Sequence, residues 1–530
     1  MRTLLLALLL SSSTFTLVSA QVTYADDIAD IIYQNCATCH RPGEIGPFTL
    51  TSYNEVRSWG SMIKFVTSER LMPPWQPEPH YASYLGENFL SDEQIADIAE
   101  WVDNGMPRGD ESAEPAFPDF PEGSVLGEPD LVLTMEEAWM HEGNNRDNYR
   151  YFVFPVDIPE DKVIKTIEFR PGNSRIVHHA LIFEDRTGQA AQNDAATPEY
   201  GFDGFGSFTN SQDPTGILNQ KQYPGFVPGQ KPIFSPDGTG WTLHKDADIV
   251  VQVHYAPWPV DEWDQSSFNI FFMDEDEEVF EREIKDHIMV PFQEVINDIF
   301  AIPANSVREF HGTYRVPIDV SLINISPHMH LLGQHWEVWM ERPDGERVNL
   351  VHIPKWDFNW QGAYHFDRYI YAPRGSIINA VASYDNTADN PNNPSSPPRF
   401  VTWGEATTDE MYYLPIGFVD YQPGDEDIIF SEGPVLSVDD LQAEQHQLFP
   451  ITPNPVSDHA LAGFRLQKGQ VVSIEIVDMQ GQKVRTLREG EFFNTGEHYV
   501  DFSTRQMSPG VYFIHVQGKD FKLSQRFVKG

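Results

Sequence analysis

The sequence predicts a multidomain, mainly β protein with one small helical module near its N-terminus, and three observations carry that reading. The 530 residues exceed what a single core organises, since domains run to roughly 150 residues. The chain holds 40 Pro and 36 Gly with 13% aromatic residues, a turn-rich composition that suits short strands and is too apolar for disorder. Short alternating apolar runs between Pro and Gly clusters recur through its middle, as in antiparallel sandwiches. Charge narrows the function classes. With 36 Lys and Arg against 79 Asp and Glu, the formal net charge is −43, which repels phosphate backbones and anionic lipid, so no nucleic-acid partner is expected.

In chain order, Met1-Arg2 precedes an apolar run from Leu4 to Leu10 that closes on Val18-Ser19-Ala20, the pattern of a cleaved signal peptide over residues 1–20. No later stretch reaches ~18 uninterrupted apolar residues, so no membrane-spanning helix is expected. The only two cysteines are Cys36 and Cys39, and His40 follows them. C-x-x-C-H is the attachment motif of a c-type haem. A thiol redox pair would call for a βαβ context, and a zinc site would need two further thiolates.

Helical spacing agrees with a haem module. Ile28, Ile31 and Ile32 lead into the motif, and Ser91 with Gln94 forms a capping box ahead of Ile95, Ile98 and Val102. Gly105 and Pro107 close that helix. A small α-helical cytochrome c-like domain is therefore expected over residues 21–110, with haem c bound through Cys36 and Cys39. His40 is the expected proximal iron ligand, and Met72, in Met72-Pro73-Pro74-Trp75, the expected distal one, because a proline-stiffened loop can hold a thioether in place. Met62, Met106 and His80 are the alternatives. Residues 111–129, dotted with Pro115, Pro118, Pro121 and Pro129, read as a linker.

Two β blocks follow, expected over 130–283 and 284–440. Strand-like runs in the first are Tyr151 to Phe154, Val163 to Phe169, Ile176 to Phe183 and Ile249 to Tyr255; in the second they are Val320 to Ile325, Trp336 to Met340, Ile377 to Tyr384 and Tyr412 to Val419. The acidic stretch Asp274 to Glu278 reads as a solvated crossover. Histidines cluster in these blocks as His178-His179, as His254 at a strand end, and as His328-Met329-His330, with Met411 following Asp409-Glu410. Adjacent strand residues point to opposite faces, so His178 and His179 can share a metal only at a twist, bulge or strand end, whereas His328 and His330 share a face unaided. With both thiolates committed to haem, a blue-copper site cannot be built. Imidazole sites suit copper or zinc, and two imidazoles with a thioether favour copper that cycles through Cu(I).

The order His-His, Gln-Val-His-Tyr, His-x-His-x-x-Gly and Asp-Glu-Met over about residues 130–430 resembles the copper type II, ascorbate-dependent monooxygenases, the group of the peptidylglycine and dopamine hydroxylating enzymes. The resemblance implies two jelly-roll-like β-sandwich copper domains. It implies that His178, His179 and His254 hold an electron-transfer copper. It implies that His328, His330 and Met411 hold a catalytic copper where O2 and the substrate C–H bond meet. Two coppers suit a two-electron hydroxylation, because each Cu(I) gives one electron. Where peptidylglycine members carry an Arg, an Asn and a Tyr that grip a peptide carboxylate, this chain has Ser326, Tyr413 and Pro415, which argues against a C-terminal glycine substrate. The disulfides of that family are also missing.

The tail changes character. Residues 451–530 carry 10 Lys and Arg against 8 Asp and Glu, Pro453-Asn454-Pro455 opens the segment, and Val472 to Ile476 alternates as a strand before a turn at Gln480-Gly481. A further strand begins at Ser508-Pro509-Gly510. This resembles the C-terminal sorting domain of the type IX secretion system, expected as a β-sandwich over 446–530. The sequence thus points to an exported haem–copper monooxygenase. Its partners would be a small-molecule or peptide-like substrate, O2, an upstream electron donor and the type IX secretion machinery. A non-enzymatic electron carrier or surface copper-binding protein is the alternative. A zinc hydrolase on His178, His179 and His254 ranks last, because no H-E-x-x-H base accompanies them.

Overall fold

The computed structural model describes residues 21–118, 120, 123–204, 208, 220–274, 278–404, 406–430, 447–449, 451, 456–466, 469–478, 483–493, 496–505, 507–508, 510–519 and 522–529. The expected signal peptide, the Pro453-Asn454-Pro455 opening and the Gln480-Gly481 turn lie outside the described residues. Strands account for 42% of the described residues and helices for 12%, so the protein is mainly β and multi-sheeted. Two compact units are formed, one from residues 1–118 with 130–431 and one from 119–129 with 432–530.

The helical part of the first unit contains Ala29–Asn35, Tyr53–Ser68 and Asp92–Asp103. The last begins with a reciprocal capping box, Ser91 Oγ accepting from the Gln94 amide at 3.1 Å and Gln94 Oε1 from the Ser91 amide at 2.9 Å, which satisfies two otherwise orphaned donors. Its core gathers Tyr24, Ile28, Ile32, Val56, Ile63, Ile98 and Trp101. Tyr53–Ser68 nevertheless leaves Trp59, Met62 and Phe65 exposed. Three residues apart, they form one uncovered apolar stripe.

The first β block pairs two five-stranded sheets. One runs Leu131–Thr134, Ser267–Phe272, Lys162–Arg170, Thr239–Leu243, Arg282–Glu283, and the other Phe202–Asp203, Asn148–Pro155, Asp248–Tyr255, Val177–Asp185, Gln222–Phe226. Asp248–Tyr255 is central, and all but its first residue are buried. Ile249, Val251, Val253 and Tyr255 enter the main core, while Val250 joins Tyr151, Phe183, Phe202 and Phe208 on the other face. Cover on both faces explains its nearly continuous apolar run.

The second block pairs two four-stranded sheets, Lys285–Met289, Leu414–Asp420, Val320–Ile325, Tyr364–Ala372 and Ser306–Arg315, Ile377–Asn386, Gly333–Glu341, Arg347–Ile353. Trp336, Val338, Met340, Ile378 and Ala380 face Leu322, Ile325, Phe366 and Ile416 across its core. Ile323, Tyr369 and Val419 turn the other way and pack into the first block's core. The two blocks therefore abut along a dry, apolar seam.

The sequence places the helical module behind a linker, and the structure also docks it directly. The loop between its second and third helices enters the second block: Tyr84 pairs with Phe366 and donates from its hydroxyl to Leu350 O at 2.6 Å, and Leu85 N donates to His365 O at 2.8 Å. Tyr84, 6% exposed, is part of that block's core. The separate tail unit contains a three-stranded and a four-stranded sheet closed on Phe464, Val472, Ile474, Ile476, Val500, Phe502, Ile514, Val516 and Phe527.

Candidate metal centres

His178 and His179 lie at the start of Val177–Asp185, and His254 near the end of Asp248–Tyr255. These strands pair His179 with His254 and Val177 with Tyr255, and the register shifts between Val177 and His179. His178 is thus the extra residue of a bulge, and the bulge turns two consecutive side chains toward one point. The Nδ1 atoms of His178 and His179 are 3.2 Å apart and those of His254 and His179 3.4 Å apart. Two nitrogens held tetrahedrally at an ion–nitrogen distance of 2.0–2.1 Å stand about 3.3 Å apart. His254 Nε2 donates to Asp147 Oδ1 at 2.6 Å, and Thr407 Oγ1 donates to Asp147 Oδ2 at 3.0 Å. A carboxylate only accepts, so the proton of His254 sits on Nε2 and its Nδ1 presents a lone pair.

Electrostatics keeps the cluster neutral. Burial, helped by its neighbour His254, pushes His178 down to about 3. Burial holds His179 well below the usual value and lowers His254 despite Asp147. Burial opposes the charge of Asp147, but hydrogen bonds from His254 and Thr407 hold its carboxyl below the usual range. Tyr149 stacks on His254 at 4.1 Å between centroids and 5° between planes, fixing the ring. Three neutral imidazoles with one adjacent carboxylate form a metal-ready set.

The second set is built by loops beyond strand ends. His328 bridges to Tyr413, with His328 N donating to Tyr413 O at 2.8 Å. Glu410, fully buried, accepts from the amides of His330 at 2.9 Å, Leu332 at 2.6 Å and Met411 at 3.1 Å. One carboxyl thereby clamps the His-x-His turn to the Asp-Glu-Met turn. Burial raises that carboxyl to about 8 against its amide donors. Gln361 Nε2 donates to Phe358 O at 2.9 Å, which aims Oε1 at His328 Nδ1, 2.6 Å away. His330 Nδ1 donates to Asp409 O at 3.2 Å. Both imidazoles therefore keep Nε2 as the free lone pair. Burial pushes His328 to about 4 and His330 well below its usual value.

Both sets meet one cavity of about 250 Å³, lined by His179 from the first block and by His328, His330 and Met411 from the second. Phe358 stands between the sets, with its centroid 5.3 Å from that of His178 and 5.9 Å from that of His330. Gln222 and Tyr413 close the gap from opposite blocks at 3.3 Å. Ser326, Tyr413 and Pro415 all line this cavity.

Cys36, Cys39 and His40 follow the first helix in a tight turn, with Cys39 N and His40 N both directed at Cys36 O. The thiols are free and half-buried. Burial pushes Cys36 up to about 12 and raises Cys39, unlike the lowered thiols of a reactive redox pair. His40 Nδ1 donates to Phe48 O at 2.9 Å, leaving Nε2 as the free lone pair, and Phe48 stacks on Trp59 at 4.0 Å. The uncovered stripe of Trp59, Met62 and Phe65 thus adjoins the histidine. Met72, half-buried, is tied to the end of that helix by its amide and Val66 O, 3.2 Å. Met106 packs against Gly60, where an added Cβ would meet its Sδ, and His80 leans on Phe89.

A smaller cavity of about 70 Å³ is lined both by Thr38 of the C-x-x-C-H turn and by Gln361, which holds His328. Gln76 grips the loop that carries Gln361. It donates to Asp357 O at 3.0 Å and accepts from Asp357 N at 2.8 Å.

Asp147, Glu410 and Gln361 are the supporting residues that spacing did not single out. Asp147, beside Tyr149 where an Asn- and Gly-rich turn enters a strand, had a local signal. Glu410 stood within a quoted motif. Gln361, in an irregular loop, had none.

A family model described as the secretion system C-terminal sorting domain matches residues 450–530. The protein is therefore exported through type IX secretion to the cell surface or extracellular space. No helix among the described residues is long and apolar enough to cross a membrane. None of the curated proteins matches the chain. Among solved structures, a β-glucuronidase of Faecalibacterium prausnitzii is 11% identical with a TM-score of 0.12, over 43% of this chain and 38% of that one. The Ruminococcus gnavus β-glucuronidase is 8% identical with a TM-score of 0.13, over 71% and 46%. The infectious bursal disease virus VP2 particle is 9% identical with a TM-score of 0.15, over 58% and 76%. The chain spans less than half the length of either glucuronidase, and superpositions this poor carry no argument about fold or activity.

Proposed function

We propose that this exported protein is a haem–copper oxidoreductase, a copper-dependent monooxygenase that hydroxylates a C–H bond of a substrate held in the cavity between its β blocks. The observation that supports it most is the pair of neutral donor sets on one cavity: three converging Nδ1 atoms on one side, and two imidazoles with a thioether on the other. Neither set offers a thiolate, and a soft thioether beside imidazole favours copper over zinc. His178, His179 and His254 would hold one copper, and His328, His330 and Met411 the other. Cys36, Cys39, His40 and Met72 would hold haem c. When bound, these groups supply one-electron redox chemistry, two electrons and two protons converting O2 and R–H into R–OH and water.

The chain's own residues do the rest. Asp147 fixes the tautomer and orientation of His254, and Gln361 and the Asp409 carbonyl do the same for His328 and His330. Glu410 keeps the two ligand-bearing turns in one geometry. Phe358 stands between the sets on the wall of their shared cavity, and the docked loop of the haem module brings the Cys36–His40 turn to the far side of Gln361.

Metal and haem quantitation on the purified protein, with oxygen uptake driven by a haem reductant, tests the proposal. Two coppers, one covalent haem and reductant-dependent oxygen consumption are expected. Zinc in the two sets would overturn it. Copper and haem without oxygen consumption would mark the chain as an electron carrier.

A further inference from the structure

The cavity holds one charged group outside the two histidine sets. Among its lining residues there is no Lys or Arg, and the single carboxylate is that of Asp286. This side chain lies on Lys285–Met289, where its neighbour His287 turns inward to stack on Tyr314 at 3.5 Å. Alternation sends Asp286 and Ile288 the opposite way, into the cavity. Asp286 is solvent-exposed, its carboxylate is among the groups lining the cavity, and no hydrogen bond or ion pair engages it among the described residues. Burial alone raises it to about 6, so it is ionised at neutral pH. His365, the lining imidazole outside the two sets, is held neutral by burial.

We infer that Asp286 is the anchor for a cationic group on an elongated, largely apolar ligand whose other end reaches His328, His330 and Met411. The inference rests on the proposed role of those three residues and names the substrate class of that site. As the one carboxylate lining the cavity, with no cation of the protein beside it, Asp286 offers an entering ammonium a charge-assisted hydrogen bond next to apolar surface. An anionic ligand meets only repulsion there. The sheet sets the length. Asp286 pairs with Gly417, which pairs in turn with Asn324, and His328 bridges to Tyr413, so the two rows are four residues apart on the shared strand. At about 3.3 Å per residue and 4.8 Å per strand, the Cα offset is roughly 13 Å along and 10 Å across. Side chains reaching in from both ends leave on the order of 10 Å between cation and reacting carbon.

The experiment is calorimetric titration of the full mature chain, before copper loading, with octylamine, octanol and octanoate at pH 7.5. Octylamine should bind at least tenfold tighter than octanol, with octanoate weakest. Asp286→Asn should bind amine and alcohol alike while keeping the wild-type alcohol affinity, which also shows that the cavity is folded, and Asp286→Glu should keep the amine preference. Equal binding of amine and alcohol by the wild type, or an undiminished preference in Asp286→Asn, overturns the assignment. With Cu(II) added, proton lines at the methyl end of octylamine should broaden most; greatest broadening beside nitrogen overturns the orientation. The copper-free titration is independent of the metal sets, so a failure of the copper reading and a failure of the anchor show separately.

Discussion

Replacing Asp147 by Ala tests how the three-histidine set is held. The carboxylate accepts from His254 at 2.6 Å and from Thr407 at 3.0 Å, and His254 is 1% exposed. Asp147 itself is partly exposed, so water entering the vacated space holds the loss toward the lower end of the ranges that follow. Removing such an outer partner costs 10–100-fold in metal affinity, about 1.4–2.7 kcal/mol, and leaving the Nε2–H buried and unpaired costs the fold about 1–3 kcal/mol. Copper titration against a chromophoric chelator should therefore show one weakened site per chain, with the His328, His330 and Met411 set unchanged. Thr407→Val should lose only about 0.5–1.5 kcal/mol. The double variant should be no weaker than Asp147→Ala alone, because Thr407 acts through Asp147. Unchanged affinity at both sites in a folded Asp147→Ala protein would refute the reasoning, as would equal loss at both.

Met411→Ile, a swap of similar volume at a residue 8% exposed, should change stability by less than about 1.5 kcal/mol yet lower Cu(I) from two equivalents to one, as metal analysis would read. Gly46→Ala puts a Cβ at 2.6 Å from Cys39 O and 2.8 Å from His40 Nδ1. The C-x-x-C-H turn must then shift at a cost of about 1–3 kcal/mol, and covalent haem yield should fall in a haemochrome assay. Asp286→Asn carries a pH signature. The folded value of about 6 lies above the ordinary 3.8, so the native state binds a proton that the unfolded chain releases. That stabilising contribution is complete below pH 4 and is lost as pH rises through 6. The variant should gain stability over wild type at pH 7.5 and show no gain at pH 4, by thermal melts at each pH.

Local rules carried far in this chain where residues contact their sequence neighbours. The capping box at Ser91 and the two-residue alternation of Val472, Ile474 and Ile476 needed only adjacent positions to be read. The condition placed on His178 and His179, a bulge or a strand end, follows from strand stereochemistry alone, and the register shift after Val177 satisfies it. Long-range partners were different. Asp147 and His254 are 107 positions apart and Gln361 is 33 from His328; no periodicity links such pairs. Asp286 read as one more acid in a strongly acidic chain. Its distinction comes from the strand face on which it sits and from the cavity that this face closes.

The helical module shows best why a linker alone says little about placement. A flexible linker sets an effective concentration but no orientation. Here orientation comes from the loop between two haem-module helices: Trp75 packs edge-on to Tyr84 at 6.0 Å and Tyr364 at 5.5 Å, and Glu78 N donates to His352 O at 2.7 Å. These contacts are with the second block, while Thr38 of the C-x-x-C-H turn shares a small cavity with Gly229 and Lys231 of the first block and Gln361 of the second, so the turn faces both blocks. The loop that receives it, residues 357–363, carries Phe358 between the two sets and Gln361 on His328. One irregular segment thus touches the docked module through Gln76 and both donor sets through its own side chains. In the proposed reading, the rigidity of this segment, as well as the length of the linker, bears on communication among the three centres.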